Sequence, residues 1–227
     1  MIHWFKASKK GFTLFEILLV ITIMAILAIA ALTSTVNTQK QFVFTNNYKE
    51  VFNKIREART YAVTQKAVDL GAGRQGIPSA YGVYISNNGT QIQVTVFADL
   101  TSSTTQNGFD DASASAKDVT IGQSYSFDAT KYALAVVGSD EQSLNITNGN
   151  SLTLLYSPAE TRVVVTGHTD APSSNFTFAD SYVTLTLSDS TIVSLSKKMT
   201  IFLQSGIIEA IDADNLFQAK LPANPQP

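Results

Sequence analysis

Between Phe12 and Leu32 the chain runs for 21 residues, FTLFEILLVITIMAILAIAAL, with one ionisable side chain, Glu16. As a helix such a run measures about 31 Å at ~1.5 Å per residue, the thickness of a bilayer's hydrocarbon core. Lys6, Lys9 and Lys10 precede the run and no lysine or arginine lies within it. That asymmetry predicts an amino terminus held on the cytoplasmic side of a membrane and a remainder exported. Glu16 is out of place, because a carboxylate deep in a membrane costs roughly 2.5–3.5 kcal/mol on insertion scales. Two readings stay open: a position near enough to the membrane edge to be solvated, or a search for a positive partner.

The string KKGFTLFE resembles the processing site of type IV prepilins and of the pseudopilins of type II secretion. The resemblance implies a leader at 1–11, cut after Gly11 by a prepilin peptidase, and N-methylation of the new first residue, Phe12. It also implies that Glu16 pairs with the amino terminus of a neighbouring subunit during assembly. Such a pair makes physical sense, since an ammonium group makes a buried carboxylate tolerable. The implied partners are prepilin peptidase, other pilin or pseudopilin subunits and cytoplasmic membrane lipid. The rival is an ordinary signal sequence, with AIAAL at Ala28–Leu32 as its cleavage site and a secreted or membrane-anchored adhesive β-domain behind it. Against the rival, apolar signal cores run only about 7–15 residues, and here the helical pattern continues past the run.

No proline occurs before Pro78 and no glycine between Gly11 and Gly71. Phe44, Tyr48, Val51, Ile55, Ala58 and Ala62 recur at helical spacing, with polar residues between them, which predicts an amphipathic continuation over 33–66. One helix from Phe12 to Lys66 would hold 55 residues. Its transmembrane part, 12–32, would anchor the chain, and its second part would pack on a domain. Ala31, Leu32, Thr33 and Ser34 stand where major pilins usually carry a kinking proline, a departure that favours a minor subunit.

From about Val68 the apolar period falls from 3.6 to 2. YGVYIS, NNG and TQIQVTVFA predict a β-hairpin over Tyr81–Ala98. Further strands are expected at Thr120–Phe127, Tyr132–Val137, Leu152–Tyr156, Arg162–Thr166, Tyr182–Leu187, Thr191–Leu195, Met199–Leu203 and Ile207–Ile211. Asn107–Gly108 and Asn148–Gly149 mark turns. The expected class is α+β: a long helix packed on a mostly antiparallel sheet, with the β-rich domain at 67–220 and a frayed tail at 221–227. The passage IREARTYAVTQKAVDL, followed by YGVYI and VFADL, resembles the H-type (GspH/FimT) minor pseudopilins, and KMTIFLQSGIIEAI fits their terminal hairpin.

Chemistry is sparse. Cysteine is absent and His3 and His168 are the whole histidine complement, so Cys-based nucleophiles and Cys-ligated metals are excluded. Charged residues make up 15% of the chain, with 47 Ser and Thr in their place. The net charge of −2 offers no broad basic field for nucleic acid. It is unevenly split: +6 over 1–66 and −8 over 67–227. Asp99, Asp110, Asp111 and Asp118 fit no EF-hand spacing and read as a solvated loop. His168, Asp170, Ser173 and Ser174 invite comparison with a Ser–His–Asp triad, but no G-x-S-x-G elbow is present. Asn88, Asn145 and Asn175 head N-x-S/T sequons. The expectation is a non-enzymatic structural subunit with no cofactor, metal or small-molecule substrate, in the cytoplasmic membrane before assembly and in a pilus or pseudopilus after it.

Overall fold

With no proline or glycine to interrupt it, the stretch after Phe12 forms a single element, α1 (Leu14–Thr64). The computed structural model describes residues 12–69, 75–100, 118–158, 162–170, 173–178, 181–192 and 195–211, apart from the side chains of 31–35 and 173. The leader at 1–11, His3, Asn107–Gly108, Asp110, Asp111 and the tail at 221–227 lie outside these residues. The chain divides into two units, Met1–Phe44 and Thr45–Pro227.

Helix α1 is two residues shorter at each end than the expected Phe12–Lys66, and both ends have a local cause. Thr13 caps the start. At the other end Gln65 turns left-handed (φ 49°), the Gln65 N–H donates to the Ala62 carbonyl, and the Lys66 N–H donates to the Tyr61 carbonyl. These two bonds form a Schellman stop, which satisfies carbonyls the helix leaves open. The Lys66 ammonium then sits 3.8 Å from the centre of the Tyr61 ring.

The expected stripe is the buried one: Phe44, Tyr48, Val51, Ile55, Ala58 and Ala62 are all 5% exposed or less. Full burial of a side chain such as Ile55 contributes about 1.5–3 kcal/mol.

Among the described residues of the second unit fourteen strands follow. They are β1 (Val68–Asp69), β2 (Gln75–Gly76), β3 (Ala80–Asn87), β4 (Gln91–Asp99), β5 (Val119–Thr120), β6 (Tyr125–Asp128) and β7 (Tyr132–Gly138). Then come β8 (Ser143–Asn145), β9 (Ser151–Tyr156), β10 (Val163–Asp170), β11 (Ser173–Phe178), β12 (Tyr182–Asp189), β13 (Ser196–Phe202) and β14 (Ile208–Ile211). Their recorded pairings are antiparallel. The class is α+β, as the patterning predicts, but the strands form two main sheets where one is expected. The larger runs β11-β10-β9-β3-β4-β5, with β6 also on β4, and the smaller runs β14-β13-β12-β7-β8.

Each sheet turns an apolar face inward. In the larger sheet Val83 lies opposite Val96 and Leu154, and Leu154 opposite Val165. In the smaller, Leu185 lies opposite Val136 and Met199, and Leu187 opposite Leu134. All of these are essentially buried. The domain part of α1 touches both sheets. The Tyr48 hydroxyl donates to the Lys198 carbonyl of β13 at 2.9 Å, and the Tyr125 hydroxyl of β6 donates to Asn47 Oδ1 at 2.7 Å. The Tyr61 ring lies 6.3 Å from that of Tyr81 in β3, whose hydroxyl donates to the Lys66 carbonyl.

Two strand expectations need correction. Thr120–Phe127 is broken into β5 and β6 around Gly122, which adopts φ 72°, a conformation that strands do not contain. Thr191–Leu195 does not form a strand among the described residues. Asp189 Oδ1 accepts hydrogen bonds from the Thr191 N–H, the Thr191 hydroxyl and the Ile192 N–H, bending the chain into a turn. The NNG turn is formed as expected, with Asn88 Oδ1 accepting from Thr90 and Gln91.

Candidate assembly site

The start of α1 is organised by Thr13. Its hydroxyl oxygen accepts the Glu16 N–H at 3.2 Å, and its carbonyl accepts the N–H groups of Glu16 and Ile17. Thr13 and Glu16 thus occupy the first and last positions of a T-x-x-E capping box, with Thr13 as the cap and the acid at the third helical position. This signal stands in the sequence beside the two readings given for Glu16, the membrane edge and a positive partner, and neither of them uses it. A carboxylate in the first turn is favoured by the exposed N–H groups and helix dipole, by about 0.3–1 kcal/mol at an exposed site. Glu16 therefore has a reason to stand where it does within one chain, before any partner is considered. Its side chain is exposed, so it is open to a partner as well.

Around Glu16 the helix is bare. Thirteen large apolar side chains from Phe12 to Ile29 are exposed, including Phe12 at 77% and Leu14 at 84%. Among the described residues no helix is long and apolar enough to cross a membrane. The part of the apolar run that lies within α1 and has described side chains, 14–30, holds 17 residues. That is about 26 Å of helix, short of the ~30 Å core.

The other residues singled out by sequence fall elsewhere. Gly11, the residue before the expected cut, lies outside the described residues, whereas Phe12 is the first described. His168 does not meet Ser174: its Nδ1 lies 2.6 Å from Asn175 Oδ1 across the β10–β11 pair, while the Ser174 hydroxyl lies 2.8 Å from that of Thr169. The Asp170 N–H donates to Asn150 Oδ1. Asp99 is buried at the end of β4, where its carbonyl accepts from the Ser79 N–H and hydroxyl. Asp118 Oδ1 accepts from the Leu100 N–H at 3.4 Å. Among the described residues no three His, Asp or Glu side chains gather as metal ligands. The sequon residues Asn88, Asn145 and Asn175 are all exposed.

No curated protein and no solved structure matches the chain. Residues 6–32, the basic stretch, the Gly11–Phe12 junction, Glu16 and the apolar run, match the family model described as the prokaryotic N-terminal methylation motif, consistent with a type IV pilin or pseudopilin.

Proposed function

We propose that the chain is a minor pilin or pseudopilin, a structural subunit of a type IV pilus or type II secretion pseudopilus. Prepilin peptidase cuts between Gly11 and Phe12, Phe12 is methylated, and 12–32 holds the subunit in the cytoplasmic membrane with its β-domain exported. Other pilin subunits then draw the helix into a bundle. The observation that carries this reading is the exposed apolar surface of 12–29 beside an exposed first-turn carboxylate, on a segment bearing the methylation motif. A water-facing monomer has no use for an apolar surface of that extent, and lipid or sister helices cover it. Glu16 offers its carboxylate to the ammonium of a neighbour's Phe12. The role is architectural and not enzymatic. The missing proline at 31–34 and the Arg- and Ala-rich helix leading into β-strands favour a minor, H-type subunit.

Intact-mass analysis of the mature protein tests the assignment: 216 residues beginning with methylated Phe12 are expected. An uncut chain, or one beginning near Ala31, overturns it in favour of an ordinary secreted or anchored β-domain. Glu16→Ala is expected to insert and be cleaved but to enter filaments at least tenfold less. Wild-type incorporation would remove Glu16 from the mechanism.

A further inference from the structure

Three Asn-x-Thr sequons, Asn88–Thr90, Asn145–Thr147 and Asn175–Thr177, fall at one end of the domain. Asn88 lies in the β3–β4 turn, and its neighbour Asn87 donates from Nδ2 to the Ile146 carbonyl at 2.8 Å, beside Asn145. Asn175 stands level with His168, Ser151 and Ser86 across β11, β10, β9 and β3, and Ser86 is two residues from Asn88. All three asparagines are exposed, as an acceptor of N-linked saccharide must be. The sequence makes the three equivalent. The structure does not.

The atom that reacts in such a transfer is the asparagine Nδ2, a poor nucleophile because its lone pair is delocalised into the carbonyl. Donors on Oδ1 stabilise the negative charge that collects there as Nδ2 gives up a proton, in the manner of an oxyanion hole. At Asn88, Oδ1 accepts three hydrogen bonds: from the Thr90 N–H at 3.0 Å, the Thr90 hydroxyl at 2.9 Å and the Gln91 N–H at 2.8 Å. The hydroxyl is the sequon's own. The turn that holds it is fixed by the Asn88 N–H on the Gln91 carbonyl, by Gly89 at φ 88° and by the Gly89 N–H on Asn87 Oδ1. With Oδ1 drawn into the turn, Nδ2 is the part of this exposed side chain left for a saccharide donor to reach.

The other two sequons lack this arrangement. The Thr147 hydroxyl accepts from Asn150 Nδ2 at 2.9 Å. Asn175 Oδ1 lies 2.6 Å from His168 Nδ1, and in a strand residues two apart stand about 6.6 Å from each other.

We infer that Asn88 is a site of N-linked saccharide attachment, and that Asn145 and Asn175 are passed over. The domain is exported in the subunit reading above, on which this inference rests, so the donor is a saccharide joined through diphosphate to a membrane lipid. A bond forms between Asn88 Nδ2 and the anomeric carbon of the saccharide. The bond from that carbon to the diphosphate oxygen breaks, and its electron pair leaves with the diphosphate. The Nδ2 proton passes to a base of the transferase.

Trypsin places the three sequons on separate peptides, 75–117, 132–162 and 163–197, which allows a direct test by mass spectrometry. The full-length protein is taken from the membranes of the organism that encodes it. A saccharide mass is expected on 75–117, at an occupancy at least tenfold above that of either other peptide. It is expected to be lost in Asn88→Gln and in Thr90→Val, and kept in Thr90→Ser. A bare 75–117 peptide, a mass that survives Asn88→Gln, or equal occupancy at Asn145 or Asn175 overturns the assignment. Amino-terminal sequencing of the same sample reports on the pilin reading separately: methylated Phe12 with a bare 75–117 peptide leaves that reading standing and removes the saccharide.

Discussion

Helix α1 carries two surfaces that obey opposite rules. From Phe12 to Ile29 apolar side chains point in every direction and all the large ones are exposed. From Tyr48 to Ala62 the buried ones form one sealed stripe, while Phe52 and Tyr61 are half-buried. The backbone is the same in both and the propensities are similar, so the difference lies in what each surface is made to meet. A stripe at helical spacing is satisfied by one neighbour, here the domain's own sheets. A surface apolar all round is satisfied only by an environment that surrounds it. The first part is therefore unfinished as a monomer, while the second is complete.

Paired substitutions are the sharpest way to break this comparison. Ile55→Ala, in the sealed stripe, is expected to cost about 2–5 kcal/mol, as large-to-small changes in cores do. Ile21→Ala, on the exposed part, is expected to change stability by less than about 0.5 kcal/mol in detergent. Denaturant titration of the two variants side by side measures the contrast, and equal losses would erase the distinction. The next largest effect tests how complete the domain is on its other face. Gly82 lies opposite Phe97, and a Cβ there would press into the Phe97 ring and stand 2.9 Å from the Leu154 carbonyl oxygen. Gly82→Ala is expected to cost about 1–3 kcal/mol from overpacking, read as a lower Tm.

The smallest effect is at Tyr156, whose buried hydroxyl has no hydrogen-bond partner among the described residues. Burial pushes its pKa well above the ordinary tyrosine value, with Arg59 pulling weakly the other way. The folded state thus holds its proton more tightly than the unfolded one. The resulting stability is fully present below about pH 10 and is lost as pH rises from there through the folded value. Tyr156→Phe is expected to be neutral or stabilising by about 1 kcal/mol at pH 7, since it removes an unpaired buried polar group. It is also expected to flatten the alkaline fall in stability. Thermal unfolding across pH 7–11 checks both, and a clear loss at pH 7 would mean that the hydroxyl is paired.

What could be read in advance follows from the range of the interactions involved. The sealed stripe was legible because spacing between neighbours in sequence is enough to define a helix face, and the Asn88–Gly89 turn because its chemistry lies within five residues. The split into two sheets was not, since β3 finds β9 and β7 finds β12 across long stretches of chain. Strand β11 escaped because only Phe176 and Phe178 mark its alternation, at an edge where the other side chains are polar. Thr191–Leu195 misled because β-branched residues suggest a strand, yet one carboxylate, Asp189, draws in the N–H groups of Thr191 and Ile192 and bends the chain there. At the candidate site Glu16 was conspicuous, while the cap that explains its position locally went unread three residues earlier.

The separate ties that bind the domain's helix to its sheets bear on how the domain meets a pull along that helix. Tyr48 grips the smaller sheet near one end of that segment, and beyond the other end the Lys66 carbonyl is held by Tyr81 of the larger. A lengthwise tug is shared by both anchors at once instead of unzipping them in turn, so the body resists traction as a unit.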